Sequence, residues 1–467
     1  MNRNVLKVQM YSPKGNHDII EEIKDEYIKG GHNLSFVQPR EKFYNDLEKQ
    51  FELFDFISHA LIIDDRKTMM HLVQKGTRFG IFAGTNLSLI LPTDYIQIIP
   101  INLGRALGIQ FMAMNDNCKW GITKERHFWD KEVDILPFEF DDIKTPTTNF
   151  YPVKKDGKWG LYYSIRKDMV ITPQYEDAIG LSEGLYAVKK GDKWGFVDIF
   201  NNVVVPFEYD SVTNFCSGYS HAKMNTNSEK EVLQIVDHSG RRTEFNNKKL
   251  EQDEYRKKIT IKESYENHIR YYYAIGIDGD IIIPQNKYRY LGCYREGLFA
   301  ASIDGVTYGY IDLNEHVVIP FQYQLETYPS SFGERVFNFG FVCAKLNNKE
   351  CILINHANEQ IFPYSFKKDL LTYSNGAWGY TMNLAIGDRF KKLNISLYDL
   401  ICFKKGFDMS YLIRTDEEVE IERRKKERQR ELEGPYQWTE EDSWDAMTDG
   451  MYGDYPGGDV DYDKFGF

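Results

Sequence analysis

Three patterns in this chain have the residue types and spacing of chemistry. Gly180 to Gly184 reads GLSEG, the G-x-S-x-G of a nucleophile elbow in which Ser182 would attack a carbonyl carbon. Asp141-Asp142, Glu176-Asp177 and Glu208 with Asp210 have the make-up of two carboxylates sharing glycosidase-type acid–base work. Near the carboxyl end, Asp454, Asp459, Asp461 and Asp463 cluster hard oxygens of the kind calcium takes. Each yields to a plainer reading. A nucleophile elbow needs a strand before its serine and a helix after it, whereas Leu185 to Lys190 (LYAVKK) reads as a strand. Glu183-Gly184-Leu185 also returns as Glu296-Gly297-Leu298 without a serine, so the segment is a repeated turn. The acidic pairs recur at one place per repeat and are turn or rim groups, because a catalytic pair should be unique. The aspartates lack EF-hand spacing. Ten histidines are dispersed without H-E-x-x-H, and no G-x-x-x-x-G-K-[ST] loop occurs. No residue is assigned to catalysis, to a cofactor or to a metal.

The elements that carry these residues are repeats. Gly191 to Val212 reads GDKWGFVDIFNNVVVPFEYDSV, Asp156 to Ile179 reads DGKWGLYYSIRKDMVITPQYEDAI, and Lys119-Trp120-Gly121 is followed by LPFEFDDI up to Ile143. The glycines after the aromatic, Gly80 (after Phe79), Gly121, Gly160 and Gly195, lie 41, 39 and 35 residues apart. Beyond them the frame continues as Val197-Asp198, Val236-Asp237, Ile277-Asp278, Ile311-Asp312 and Ile354-Asn355. Pro92, Pro137, Pro173, Pro206, Pro284, Pro320 and Pro363 mark a third phase, with one proline missing between Pro206 and Pro284. A period of this size means stacked supersecondary units. About eight fall between residues 71 and 366, with a degenerate ninth near Trp378-Gly379.

Each unit reads as three short strands: Leu185 to Lys190, Trp194 to Asp198, and Val203 to Val212 interrupted at its proline. Gly191-Asp192 and Asp156-Gly157 supply tight reversals that need positive φ. Alternation within the middle strand sends the Trp ring into the packed side, while its glycine leaves space for a neighbouring ring or backbone. Proline suits a strand start, an edge or a bulge.

These residues resemble the WG-repeat (KWG) family over about two thirds of the chain. The structural positions that carry the resemblance are Phe79-Gly80, Trp120-Gly121, Trp159-Gly160, Trp194-Gly195 and Tyr308-Gly309, with Pro137, Pro173, Pro206 and Pro320. Gln234 stands where the fifth unit should have its glycine. The resemblance implies a mainly all-β tandem array, open as a superhelix or closed as a propeller-like toroid, from a largely uncharacterised, bacterial set of proteins. It brings no catalytic residue with it.

Composition sets further bounds. Aromatics make up 15% of the residues, with 32 Tyr and 30 Phe, which suits strands and stacked rings. The amino terminus has no apolar core of signal-peptide length, and no run of about 18 apolar residues occurs. The expectation is a cytoplasmic protein with no membrane contact. Six scattered cysteines without a C-x-x-C pair read as thiols. Residues 1–70 have helical spacing at Ile19 to Ile28 and Glu41 to Phe54 and are expected to form a helical or α/β cap on the array at 71–400. The charged stretch between Phe245 and Ile269 reads as an insertion or a weak unit.

Residues 401–433 end in a charged helix or spacer, after which composition changes abruptly. From Gly434 to Phe467 there are nine acidic residues and one basic, so this tail carries −8 of the chain's −12. Phosphate would be repelled, and no nucleic-acid partner is expected. Trp438, Trp444, Tyr452 and Tyr455 punctuate the acids like anchors of a motif that docks on another protein. A tail folded back on the array is the other reading. Together these features describe a non-enzymatic scaffold for protein interaction, without cofactor. The alternative is an enzyme whose unfamiliar site lies in residues 1–70 or in the degenerate later repeats.

Overall fold

The structure, a computed structural model, describes residues 8–396 apart from 15–16, 30–39, 64–67, 85–86, 103–108, 124–133, 147–148, 226–230, 326–334, 348–349, 362–365, 374–378 and 387–388, together with 421, 423–425 and 427–428. Among the described residues every sheet is antiparallel, and there are eight of them, one for each unit.

The fourth unit shows how the sequence makes a sheet. Its strands are Asp177–Ser182, Leu185–Lys190, Lys193–Asp198 and Val203–Tyr209, hydrogen-bonded in that order. The middle strand is buried along Gly195, Phe196 and Val197, while the outer strand alternates inward Val205 and Tyr209 with exposed Val203 and Pro206. Trp194 faces Tyr209 across the ladder and Phe196 faces Val205, so two steps of the middle strand oppose four of the outer one. The excess is a bulge at Pro206, where the missing N–H removes nothing from the ladder.

That bulge explains why proline and glycine travel together in the motif. A Cβ on Gly195 would lie 2.6 Å from the carbonyl oxygen of Val205. On Gly160 it would lie 2.5 Å from that of Ile171, and on Gly309 2.3 Å from that of Ile319. Gly80 meets Leu91 in the same way at 2.8 Å, and Gly121 meets the Phe138 ring. The middle strand needs glycine because the bulged strand presses onto it. In the fifth unit, only Ser211–Val212, Tyr219–Asn225 and Glu231–Asp237 form the sheet. With no outer strand to accommodate, Gln234 takes the glycine's place, and the proline missing from the sequence belongs to that missing strand.

Two expectations need correction. Four of the eight sheets have four strands rather than three, because the run Val203 to Val212 is not one strand. At Asp210 the chain leaves its sheet, and Ser211–Val212 pairs with Lys223 and Ala222 of the next. Asp210 secures the transfer: its N–H donates to Lys223 O, and its carboxylate takes Lys193 Nζ at 2.7 Å. Nor do the described residues form a separate ninth sheet. Phe366–Tyr373, Gly379–Ile386 and Arg389–Ser396 extend the eighth sheet, which begins with Phe341–Lys345 and Cys351–Asn355. Trp378 lies outside the described residues.

At the amino end, helices His17–Lys29 and Arg40–Phe51 bury Ile19, Ile23, Tyr27, Leu47 and Phe51 against Ile57, Val73 and Phe82 of the first sheet. Strands Met10–Tyr11, Phe56–Ser58 and Leu61–Ile63 join that sheet, so this segment is built into the first unit. The stretch after Phe245 supplies a short helix, Asp253–Arg256, and then the first strand of the sixth sheet, Thr260–Glu266. Residues 409–467 form a second compact unit, of which only a few helical positions are described, with Arg423 paired to Glu427 one turn on.

Candidate functional site

The motif residues assemble a joint between units. Trp120 packs into a cluster that mixes Ile122 and Leu136 of the second sheet with Ile143, Val153 and Tyr162 of the third. Trp194 does the same between the fourth sheet and Val212, Ala222 and Val236 of the fifth. Trp159 is buried, with Lys144 Nζ 4.4 Å from its ring centroid, and Tyr308 is buried outright, while Phe79, Trp120 and Trp194 are half-buried. The aromatic always opposes another: Phe79 with Tyr95, Trp120 with Phe140, Trp159 with Tyr175, Tyr308 with Tyr323. The acids read as glycosidase-like pairs are staples. Lys119, Lys158 and Lys193 of three successive K-W-G triplets reach Asp141, Glu176 and Asp210 at 2.5, 2.7 and 2.7 Å. Asp141 and Glu176 also accept the turn amides of Gly157 and Gly191 in the following sheet. Ser182 Oγ donates to Phe215 O, which makes it a turn anchor and not a nucleophile. Trp438, Trp444, Tyr452 and Tyr455 lie outside the described residues, as do the four tail aspartates.

A second site emerges where no sequence pattern had been assigned chemistry. Four two-residue turns, Glu183-Gly184, Ser217-Gly218, Glu296-Gly297 and Phe339-Gly340, enter the fourth, fifth, seventh and eighth sheets, and all eight residues have positive φ. A hairpin turn of this kind requires left-handed backbone at both positions. The second residue must be glycine for a further reason. A Cβ on Gly218 would sit 2.0 Å from Gly297 Cα, and one on Gly184 would sit 2.7 Å from Phe339 O. The fifth unit thus touches the seventh, and the fourth touches the eighth. The other two junctions are made by carboxyl groups. Glu183 accepts the N–H groups of Ser217 and Gly218 at 2.6 and 2.8 Å, and Glu296 those of Phe339 and Gly340 at 2.5 and 2.9 Å. Tyr294 Oη and the buried Arg256 guanidinium brace the second turn by donating to Ser217 O and Cys216 O.

Beside each acid stands a histidine. His238 Nε2 lies 3.3 Å from Glu183 O, and His356 Nε2 lies 3.1 Å from Glu296 O. The two imidazoles stack on each other, centroids 4.1 Å apart and planes 2° from parallel. Glu296, His238 and His356 place ligating atoms within 4.8 Å of one another. Burial pushes the Glu296 carboxyl up to about 8, with the nearby Glu183 carboxylate adding to the shift, although its two N–H bonds favour the ionised form. Burial likewise raises Glu183, holds His238 down at about 4, and drives His356 well below its ordinary value with help from His238. Both imidazoles are therefore neutral at neutral pH, with a lone pair each. They border a pocket of about 30 Å³, also lined by Asp237, Ser239 and Asp312. That volume holds about two waters or one ion and excludes an organic substrate.

The histidines are an anomaly of the repeat. They follow the hydrophobic-Asp step at Val236-Asp237 and Ile354-Asn355, where the fourth and seventh units have buried Ile199 and Leu313. Comparing residues position by position would have exposed them.

Small antiparallel sheets joined by aromatic-Gly strands and proline bulges define a β-repeat protein. More particularly, four segments of the chain match the WG containing repeat, at residues 132–159, 166–194, 194–225 and 308–325. No curated protein matches the chain. Among solved structures, Hsv2p of Kluyveromyces lactis is similar at 12% identity over 68% of this chain and 95% of its own, with a TM-score of 0.20. BamB of Moraxella catarrhalis is similar at 9% identity over 52% of this chain and 81% of its own, also at 0.20. Superpositions this loose carry no argument about arrangement or role. Among the described residues, no helix is long and apolar enough to cross a membrane.

Proposed function

We propose that this chain is a non-enzymatic scaffold that holds a protein partner on its repeat array, with the acidic aromatic tail as a second docking element. One observation carries the reading. Leu89, Val203, Ile281 and Val317 occupy the same place, three residues before the outer-strand proline, and each is exposed by 44 to 56%. Single exposed aliphatics are ordinary, but the same exposure repeated in four units is a periodic apolar stripe, and arrays bind through such surfaces. Asp134 takes this position in the second unit and buried Val170 in the third, so the stripe is interrupted between the first and fourth units. The tail adds anchors of the opposite design, Trp438, Trp444, Tyr452 and Tyr455 among acids, tethered by the charged segment at 401–433.

Cross-linked capture from native lysate tests this with three proteins: the intact chain, a chain ending at residue 433, and Val203→Glu with Val317→Glu. A partner held by the intact chain should be lost from the double variant and weakened by tail removal. An identical captured set from all three would refute the reading.

A further inference from the structure

We infer that the joint between the fifth and sixth units docks an extended segment of a partner protein, of the pattern aromatic-x-x-aliphatic, which adds a strand to both sheets. The inference rests on the scaffold reading in taking a protein as the ligand, but its surface is neither the apolar stripe nor the tail. At four other joints one run of chain serves two sheets. Phe140, Tyr175, Tyr209 and Tyr288 end an outer strand opposite an aromatic of the middle strand. Three residues later, Ile143, Ala178, Val212 and Leu291 pair with the first strand of the next sheet. All eight are buried.

From the fifth unit to the sixth that run is missing. The chain begins an outer strand with Arg242 beside Val236 and with the bond from Thr243 N to Ile235 O. Phe245, the next aromatic, then turns away to pack on Tyr219, ring centroids 5.0 Å apart, in the core of the sixth unit. Gln234 opposes Ala222 as Gly195 opposes Val188, so Leu233 stands in the place of Trp194. With no aromatic across from it, Leu233 is 60% exposed. On the far side of the joint, Thr260–Glu266 pairs only with Ile269–Ile275 among the described residues, and its Tyr265 is 62% exposed. Two strand edges thus lie open at the joint where the sister units have a shared strand, and an open edge is a template for an added one.

The sister joints define the occupant. Its aromatic takes the place of Tyr209 over Leu233, and its aliphatic takes the place of Val212 on Thr260–Glu266. Gln234 excludes a proline bulge in it: a Cβ on Gly195 would already lie 2.6 Å from the bulged strand's carbonyl oxygen at Val205. Gln234 Oε1 is also buried without a hydrogen-bond partner, an acceptor that costs free energy until a donor reaches it. A second copy cannot lay its whole edge along this one, because Arg242 and Thr243 hold the other half.

The probe is a fluorescent peptide Phe-Glu-Tyr-Asp-Ser-Val, the sequence of residues 207–212, titrated with the full chain and followed by anisotropy. Saturable binding is expected. Leu233→Asp changes an exposed side chain, so it should melt like the native chain, yet bind the peptide more weakly by roughly tenfold or more. A peptide with alanine for its tyrosine, or with an N-methylated backbone, should lose as much. No saturable binding by the native chain overturns the inference, as does equal binding by Leu233→Asp or of the N-methylated peptide. So does a chain ending at residue 433 that binds the peptide when the intact chain does not, because the chain's own end would then fill the joint. Leu233→Asp leaves Val203 and Val317 in place, so failure here leaves capture on the stripe standing.

Discussion

Consider Gly195→Ala, Gly160→Ala and Gly309→Ala, set against Gly191→Ala. In the first three the new Cβ would fall 2.6, 2.5 and 2.3 Å from a backbone carbonyl oxygen of the bulged outer strand. Ordinary contact is about 3.4 Å, so the strand would have to retreat by about 0.8 to 1.1 Å, and it cannot do so alone. In the fourth unit, the pairs Trp194 with Tyr209 and Phe196 with Val205 sit on either side of the contact and would open with it. Overpacking against backbone costs about 1–3 kcal/mol and more where nothing yields, so about 3 kcal/mol is expected for Gly309→Ala and slightly less for the other two. Gly191 has positive φ with nothing within 4 Å of its would-be Cβ, so alanine there pays only left-handed backbone strain, about 1 kcal/mol. Urea unfolding of the four variants, followed by circular dichroism, gives the ranking. Equal midpoints for Gly309→Ala and Gly191→Ala would refute the interlock of glycine and proline.

The buried ring of Trp159 makes Trp159→Ala a loss of about 3–5 kcal/mol, while half-buried Trp120 and Trp194 should lose clearly less; denaturant midpoints decide, and equal losses at Trp159 and Trp194 count against it. His71 is buried between Tyr27 Oη and Ser58 O, and burial holds its imidazole down at about 4, against about 6.5 in an unfolded chain. The unfolded chain takes the proton first as pH falls, so stability present above pH 6.5 drains away down to about pH 4, by up to about 3 kcal/mol. His71→Gln should make the slope of denaturation between pH 7 and pH 4.5 shallower by its share, the rest coming from buried His238 and His356, and an unchanged slope would place the acid sensitivity elsewhere.

What the sequence disclosed followed from local rules. The aromatic-Gly step, the proline phase and the hairpin residues each act within one unit, so the period reveals them, and even the odd Gln234 marks a sheet lacking its outer strand. The hand-over at Asp210 was hidden because Val203 to Val212 is a single apolar-alternating run with no glycine at the break. The strand ends there because Asp210 is held by Lys193 of one sheet and Lys223 of the next, which is tertiary information. The Glu–His cluster was hidden for a similar reason. Glu183 and His238 are 55 residues apart, Glu296 and His356 are 60 apart, and the contacts between the fourth and eighth units span more still. Only the recurrence of Glu-Gly-Leu pointed toward it, read as a repeated turn, while the two histidines passed as dispersed.

The proline bulge has a bearing on solubility as well as on packing. An outermost strand is a template for edge-to-edge aggregation unless something spoils its hydrogen-bonding line. The bulged prolines of the array do so twice over, by removing a donor and by breaking register. The fifth unit gave up that guard with its outer strand. Glu231–Asp237 ladders with Tyr219–Asn225 on one flank, while its other flank meets a short stub, through Val236 with Arg242 and the bond from Thr243 N to Ile235 O. Leu233 on this strand is 60% exposed. Protection there falls to charge, with Arg241 and Arg242 as gatekeepers. If this chain forms fibrils under mild denaturation, the middle of the array is where they begin.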